Sequence, residues 1–170
     1  MMPPAAKLAP LVDPQQFRDA MALLAAPITV VTTRDGEGER WGFTASAVSS
    51  VSLDPPLVLV GVARTASCHR ALTSAGEFVI NVLTDRHREV AVRFATHGID
   101  RFADRDFTQF PGTRLPCLPD ANLLVHCHTW QVVPAGDHDL LIGAVAEVHP
   151  TAAPGKPLLW YQRGFHTAGE

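Results

Sequence analysis

Residues 42–62 read GFTASAVSSVSLDPPLVLVGV, and the fold turns on how this stretch divides. Its second half, taken as LVLVGVA (57–63), is apolar throughout, the pattern of a strand buried on both faces. Asp54-Pro55-Pro56 punctuates the junction. The first half, with Trp41, is WGFTASAVSSVSL (41–53) and is predicted as one long strand. Side chains alternate along a strand, so Phe43, Ala45, Ala47, Val51 and Leu53 are expected on a core face, and Thr44, Ser46, Val48, Ser50 and Ser52 on the other. That second face carries no long charged residue. Small hydroxyls let a flat polar ligand approach the backbone and supply donors and acceptors. A plain solvent-facing Ser/Thr strand is the alternative.

Outward from this stretch, strand signals dominate. ITVVTT (28–33) precedes RDGEGER, whose Asp35-Gly36 predicts a hairpin into residue 41. The Gly36-Glu37-Gly38 run lacks a following Lys-Ser/Thr and a strand-to-helix setting, so it reads as a turn, not a phosphate loop. EFVINVL (77–83), LLVHCHTWQVV (123–133) and HDLLIGAVAEVH (138–149) are further strands, and PLLWYQRGF (157–165) is the last apolar element. Helices are predicted over 14–24 behind an Asp13 cap and Pro14, over 67–76, and from an Asp85 cap to about Thr96. Residues 99–120 hold turn formers and little periodicity. Strands so outnumber helices that a mainly β fold follows, a mostly antiparallel barrel with flanking helices. Residues 1–12, with three prolines, are expected to be a loose arm, and 13–170 a single domain.

The chain has 170 residues, 46% hydrophobic and 18% charged, with a formal net charge of -3 and no Lys/Arg cluster. This balance argues against a nucleic-acid or membrane-surface binder, while leaving room for a local basic pocket that takes a phosphate. No secretion signal or membrane-spanning run is evident, and the odd set Cys68, Cys117 and Cys127 lacks CxxC spacing. Reduced thiols in a cytoplasm are expected.

The stretch 42–62 resembles the signature of the flavin reductase-like family, G-f/m-T-a-S-s followed by S-l-d-P-P-l-v-l-v. The similarity runs from about Phe17 to Phe165 and takes in FVINVL (78–83), RF (93–94), DRF (100–102), PAGDHDLLIGAV (134–145) and PLLWYQRGF in order. The resemblance implies an FMN-binding split barrel, usually a homodimer. It implies that Thr44, Ala45, Ser46 and Ala47, with Ser50 on the same stretch, line the flavin ring. It implies that Arg64 and Ser67 meet its phosphate, with Cys68 standing where Ser or Thr is common. Asn81 also matches a family position, though a buried amide bonding a neighbouring loop is an equal reading. Phe94, Phe102 and the Trp160-Tyr161 pair read first as core or interface aromatics, with flavin or nicotinamide contact as the alternative.

Gly136-Asp137-His138 matches the GDH motif of NAD(P)H-dependent flavin reductases, which implies a catalytic or nicotinamide-positioning role for His138 beside Asp137. His126 and His128 share a strand face, but no carboxylate or third ligand stands nearby in sequence, so no metal site is expected. The function so implied is hydride transfer from NADH or NADPH to FMN or FAD, with reduced flavin passed to a separate flavin-dependent monooxygenase. A protein holding FMN tightly for another acceptor, or a non-catalytic flavin module, are the alternatives.

Overall fold

The computed structural model describes residues 11–169. Most of the predicted N-terminal arm, residues 1–10, lies outside the described residues. Helix α1 (Pro14–Met21) begins as expected: Asp13 Oδ1 accepts from the backbone N–H groups of Gln15 and Gln16. It stops at Met21 rather than Leu24 and buries none of its residues. Strands β1 (Ala26–Pro27), β2 (Thr29–Arg34), β3 (Arg40–Ala45), β4 (Val48–Leu53) and β5 (Pro56–Ala63) follow. Then come α2 (His69–Ser74), β6 (Glu77–Val82), a 3₁₀ turn over Asp85–His87 and α3 (Arg88–Ala95). Thr84, not Asp85, precedes that turn as its cap, its N–H donating to His87 Nδ1 at 3.1 Å. Short strands β7 (Thr108–Gln109) and β8 (Pro116–Cys117) lead to the long β9 (Leu123–Ala135) and β10 (His138–Pro150), and β11 (Leu158–Tyr161) and β12 (Gly164–Thr167) close the chain.

The predicted strand 41–53 is in fact two strands broken at Ser46-Ala47. The break decides the architecture. The main sheet has the order β3-β2-β6-β9-β10-β5-β4, entirely antiparallel, so β3 and β4 form its opposite edges. In a flat sheet those edges would lie about 29 Å apart at about 4.8 Å per strand step. Three peptide links from Ala45 to Val48 span at most about 11 Å. The sheet therefore has to curl until its edges meet, and the Gly61 N–H donates to Ala47 O at 2.8 Å, which carries the β4–β5 ladder up to the strand break. This is a split-barrel arrangement, mainly β with flanking helices, as the sequence led us to expect.

Alternation along the strands sorts side chains into two cores. Val31, Val60, Val62, Phe78, Ile80, Cys127 and Leu141 pack on the enclosed face, closed at one end by Leu72 and Cys68 of the α2 region. Val30, Val79 and Leu124 face the other way, against Ala91 and Phe94 of α3. The segment 99–120, expected to be irregular, supplies Phe102, Phe107, Phe110, Leu115 and Leu118 to this second core. Burying each such side chain contributes about 1.5–3 kcal/mol. The assignment of Val51 and Leu53 to a core face is corrected: they are 56% and 92% exposed, on an edge strand that sends only Val48 against the enclosed core.

Candidate functional site

Where β3 ends at the seam, a cleft of about 360 Å³ opens between the sheet, α3 and the C-terminal hairpin. Thr44 and Ser46 form its floor with Ile28, α3 presents Ala91, Val92, Ala95 and Thr96, and Trp160 and Phe165 supply an aromatic wall. The two rings meet edge to face with centroids 5.0 Å apart, and the Arg88 guanidinium lies 5.3 Å from the centre of the Phe165 ring. Thr44 is held in place, since its hydroxyl donates to Ala91 O at 2.6 Å. Ser46, by contrast, is exposed and lines the cleft from the strand break. An apolar slot with aromatic walls and few polar groups suits a flat aromatic ligand.

On the other side of Thr44 lies a second recess, lined by Arg40, Trp41, Gly42, Ser67 and residues 98–102. Arg101 joins the two cavities. Its guanidinium donates to Thr96 O at 3.0 Å, to Gly42 O at 2.9 Å and to Ser67 Oγ at 3.4 Å. Arg40 stacks over Phe102 at 4.6 Å. Two guanidinium groups and a serine hydroxyl form the donor set that a phosphate requires. Ser67 lines this recess beside Arg101, a cation that the motif reading left unassigned.

Arg64 is engaged elsewhere. Its Nη2 lies 3.0 Å from Asp139 Oδ1, and His69 Nε2 lies 2.7 Å from Asp139 Oδ2. The Arg64 and His69 bonds hold the Asp139 carboxyl below its ordinary range. Asp139 thus fixes both side chains at the end of β5 and the start of α2, with nearly half of Arg64 still exposed. Asp137 and His138 stand next to this group at the β9–β10 turn, where Gly136 has a φ of 65°. Asp137 O accepts from the Arg64 N–H at 3.0 Å. His138 Nδ1 is 2.7 Å from Asp137 Oδ1, and this bond lowers the Asp137 carboxyl. Nε2 is then the ring atom left for a ligand.

Several expected site residues are not brought to the cleft. Asn81 is fully buried; it donates to Val30 O at 2.8 Å and accepts from the Leu118 N–H at 2.7 Å. It fastens the 99–120 segment to β6. Phe94 is fully buried in an aromatic cluster with Phe102 and Phe107, with centroids 5.0 Å away in each case. Phe102 keeps one edge on the second recess. Ala45 is buried, Ala47 gives its carbonyl to Gly61 of β5, and Ser50 is exposed on β4 beyond the cleft lining. Tyr161 faces His166, with centroids 5.8 Å apart. Its neighbours in the hairpin, Trp160 and Phe165, make the wall instead. Alternation places residue 160 opposite to residue 161, a signal the sequence contains once β11 is recognised.

Cys68 is fully buried, and burial pushes its thiol up, so it offers no phosphate contact in place of the usual hydroxyl. Cys117 is raised in the same way, and Cys127 is pushed up to about 12. All three cysteines are free.

The donor sets fit a flavin mononucleotide moiety: an apolar slot for the ring system beside a cationic recess for a phosphate. The profile of the flavin reductase-like domain matches residues 21–169. An NADH:riboflavin 5'-phosphate oxidoreductase of Streptomyces pristinaespiralis is 57% identical over 93% of this chain and 90% of its own length. The reductase component of a flavin-dependent trigonelline monooxygenase from Acinetobacter baylyi is 37% identical over 89% of this chain, which spans 48% of that protein. Among solved structures, the NADH:FAD oxidoreductase SgcE6 of Streptomyces globisporus, in complex with NAD and FAD fragments, superposes with a TM-score of 0.84 at 31% identity, over 93% of this chain and 96% of that one. With the barrel, the cleft and the ordered motifs in agreement, the chain belongs to the flavin reductase-like domain family.

Proposed function

We propose that this chain is a flavin reductase that oxidises NADH, reduces FMN, accepts FAD less readily, and supplies reduced flavin to a separate flavin-dependent monooxygenase. The observation that carries this reading is the aromatic-walled cleft ending at Thr44 and Ser46 beside the Arg101–Ser67 recess. The pairing of FMN with NADH is supported by the relative at 57% identity, and the separate oxygenase by the reductase component at 37%. Bound flavin supplies the electrophilic ring nitrogen that takes up the hydride. The protein orients and excludes water. Trp160, Phe165 and α3 hold the ring system, Ser46 offers a hydrogen bond at its polar edge, and Ser67 with Arg101 holds the phosphate. Arg64, positioned by Asp139, stands near as a further cation. His138 positions the nicotinamide or hands on a proton, with Asp137 fixing its Nδ1.

Residues 13–170 act as a single domain, a reading supported by one continuous sheet running from Thr29 to Pro150. The active form is a homodimer. Phe17, Met21 and Leu24 after Asp13, and Val51 and Leu53 on β4, are exposed apolar side chains that a second copy would cover. A cytoplasmic location suits three reduced, buried thiols. Among the described residues no helix is long and apolar enough to cross a membrane.

Anaerobic mixing with NADH and excess FMN, followed at about 450 nm, is the test. Many equivalents of flavin are expected to bleach, faster with NADH than with NADPH and with FMN than with FAD. His138→Ala is expected to lower kcat/KM for NADH by about 10–100-fold with flavin Kd unchanged. Flavin binding without bleaching by any pairing would overturn the reading.

A further inference from the structure

On the outer face of the barrel, away from the cleft, three side chains from two adjacent strands converge. His126 and His128 are two residues apart on β9 and so share a face. On β6, Glu77 stands directly opposite His128, and Val79 opposite His126, which makes Glu77 the direct neighbour of one histidine and the diagonal neighbour of the other. The sequence offered no third ligand near the pair because Glu77 is distant in the chain; the β6–β9 register brings it in.

The three side chains stand close enough together to share one ion. His126 Nε2 lies 3.5 Å from Glu77 Oε2, and His128 Nδ1 lies 3.3 Å from Glu77 Oε1. One ligand atom from each of the three residues lies within 4.8 Å of the others. Zinc bonds of about 2.0–2.2 Å in a tetrahedron set ligand atoms about 3.3–3.6 Å apart. As a hydrogen bond, 3.5 Å is too long. His126 Nε2 is buried and has no hydrogen-bond partner, although the residue is only 6% exposed. A buried imidazole nitrogen with no partner is costly to fold around. Phe110 packs on the His126 ring, centroids 5.2 Å apart, and holds it in this orientation. His128 is 58% exposed and leaves the open side of the group to solvent.

We infer that Glu77, His126 and His128 form a binding site for a divalent transition-metal cation, zinc by the chemistry of its ligands, that clips β6 to β9. Two imidazoles and one carboxylate suit zinc and its neighbours in the first transition row, and are too poor in oxygen for calcium or magnesium. The site lies on the opposite side of the sheet from the enclosed core and takes no part in hydride transfer.

The test uses tag-free, chelator-treated full-length protein and zinc chloride, read by calorimetric titration and by thermal melting, with no turnover involved. One zinc ion per chain is expected, and zinc at about 100 times Kd is expected to raise Tm by about 5–10 °C. His126→Gln is expected to weaken binding at least about 100-fold. Because His126 is buried and its replacement can unfold the chain, the exposed His128→Gln and the half-exposed Glu77→Gln serve as the second set. Each is expected to weaken binding at least about 10-fold while leaving the metal-free Tm within about 2 °C of wild type. Absence of stoichiometric zinc binding, or binding equally tight in His128→Gln and Glu77→Gln, would overturn the inference.

Discussion

Strands β3 and β4 come from one run of similar sequence, yet they face different worlds. Both carry small polar side chains, both are edges of the same sheet, and only Ser46-Ala47 separates them. On β3, Gly42 and Ala45 are buried and Thr44 is bonded to α3. On β4, Ser49, Ser50, Val51 and Leu53 are exposed. The difference lies in what the rest of the chain lays over each edge: α3 and the C-terminal hairpin cover β3, and among the described residues nothing comparable covers β4. Hydroxyl content alone does not mark a ligand-facing strand; the helix that closes over it does.

The sharpest way to break this contrast is to place the same bulk on both sides of the seam. Ser46→Phe fills the cleft and is expected to lower kcat/KM for flavin at least about 100-fold. Ser50→Phe should change it less than about twofold. Equal losses would erase the distinction.

Stability should follow the same division. A Cβ at Gly42 would lie 2.9 Å from Phe94 Cε1 and 3.0 Å from Val31 O. Gly42→Ala is therefore expected to cost about 1–3 kcal/mol and to be visible as a lowered urea midpoint. Leu53→Ser, on the exposed edge, should stay within about 0.5 kcal/mol when measured under conditions that keep the chain monomeric. Thr44→Val removes the bond to Ala91 O and is expected to cost about 1 kcal/mol, with weaker flavin binding seen by fluorescence quenching.

The smallest effect concerns the strand that carries β4. At the end of β5, Arg64 is fixed by Asp139, whose carboxyl is held low by its bonds to Arg64 and His69. A lowered carboxyl contributes stability above its ordinary value near pH 3.8 and loses it as pH falls through the lowered value. The gap in Tm between wild type and Asp139→Asn should be constant from about pH 7 to pH 5 and close below about pH 4. A gap that widens in acid would show that the carboxylate is not the group at work.

Strand content was plain in the sequence because β-branched runs such as ITVVTT and FVINVL have few other uses, and each of those runs is a strand in the structure. The break at Ser46-Ala47 was not, since neither residue is a Gly or Pro and the alternating pattern runs on through it. The turn of the C-terminal hairpin was hidden similarly: Gln162 and Arg163 adopt φ values of 49° and 61° with no glycine to announce them. Asn81 shows the limit of motif matching, because one family position suits a cofactor contact and a buried fastening amide equally. Arg101 and Glu77 show another. Their partners, Gly42 and Ser67 for one and His126 and His128 for the other, are distant in the chain and are near only once the strands have paired and the sheet has formed.

The burial of the three thiols matters under the proposed function, because reduced flavin released in air passes electrons to dioxygen and yields hydrogen peroxide. Peroxide attacks the thiolate form and needs access to it. With Cys68, Cys117 and Cys127 enclosed and their thiols shifted towards the protonated form, none of the three offers peroxide an accessible thiolate.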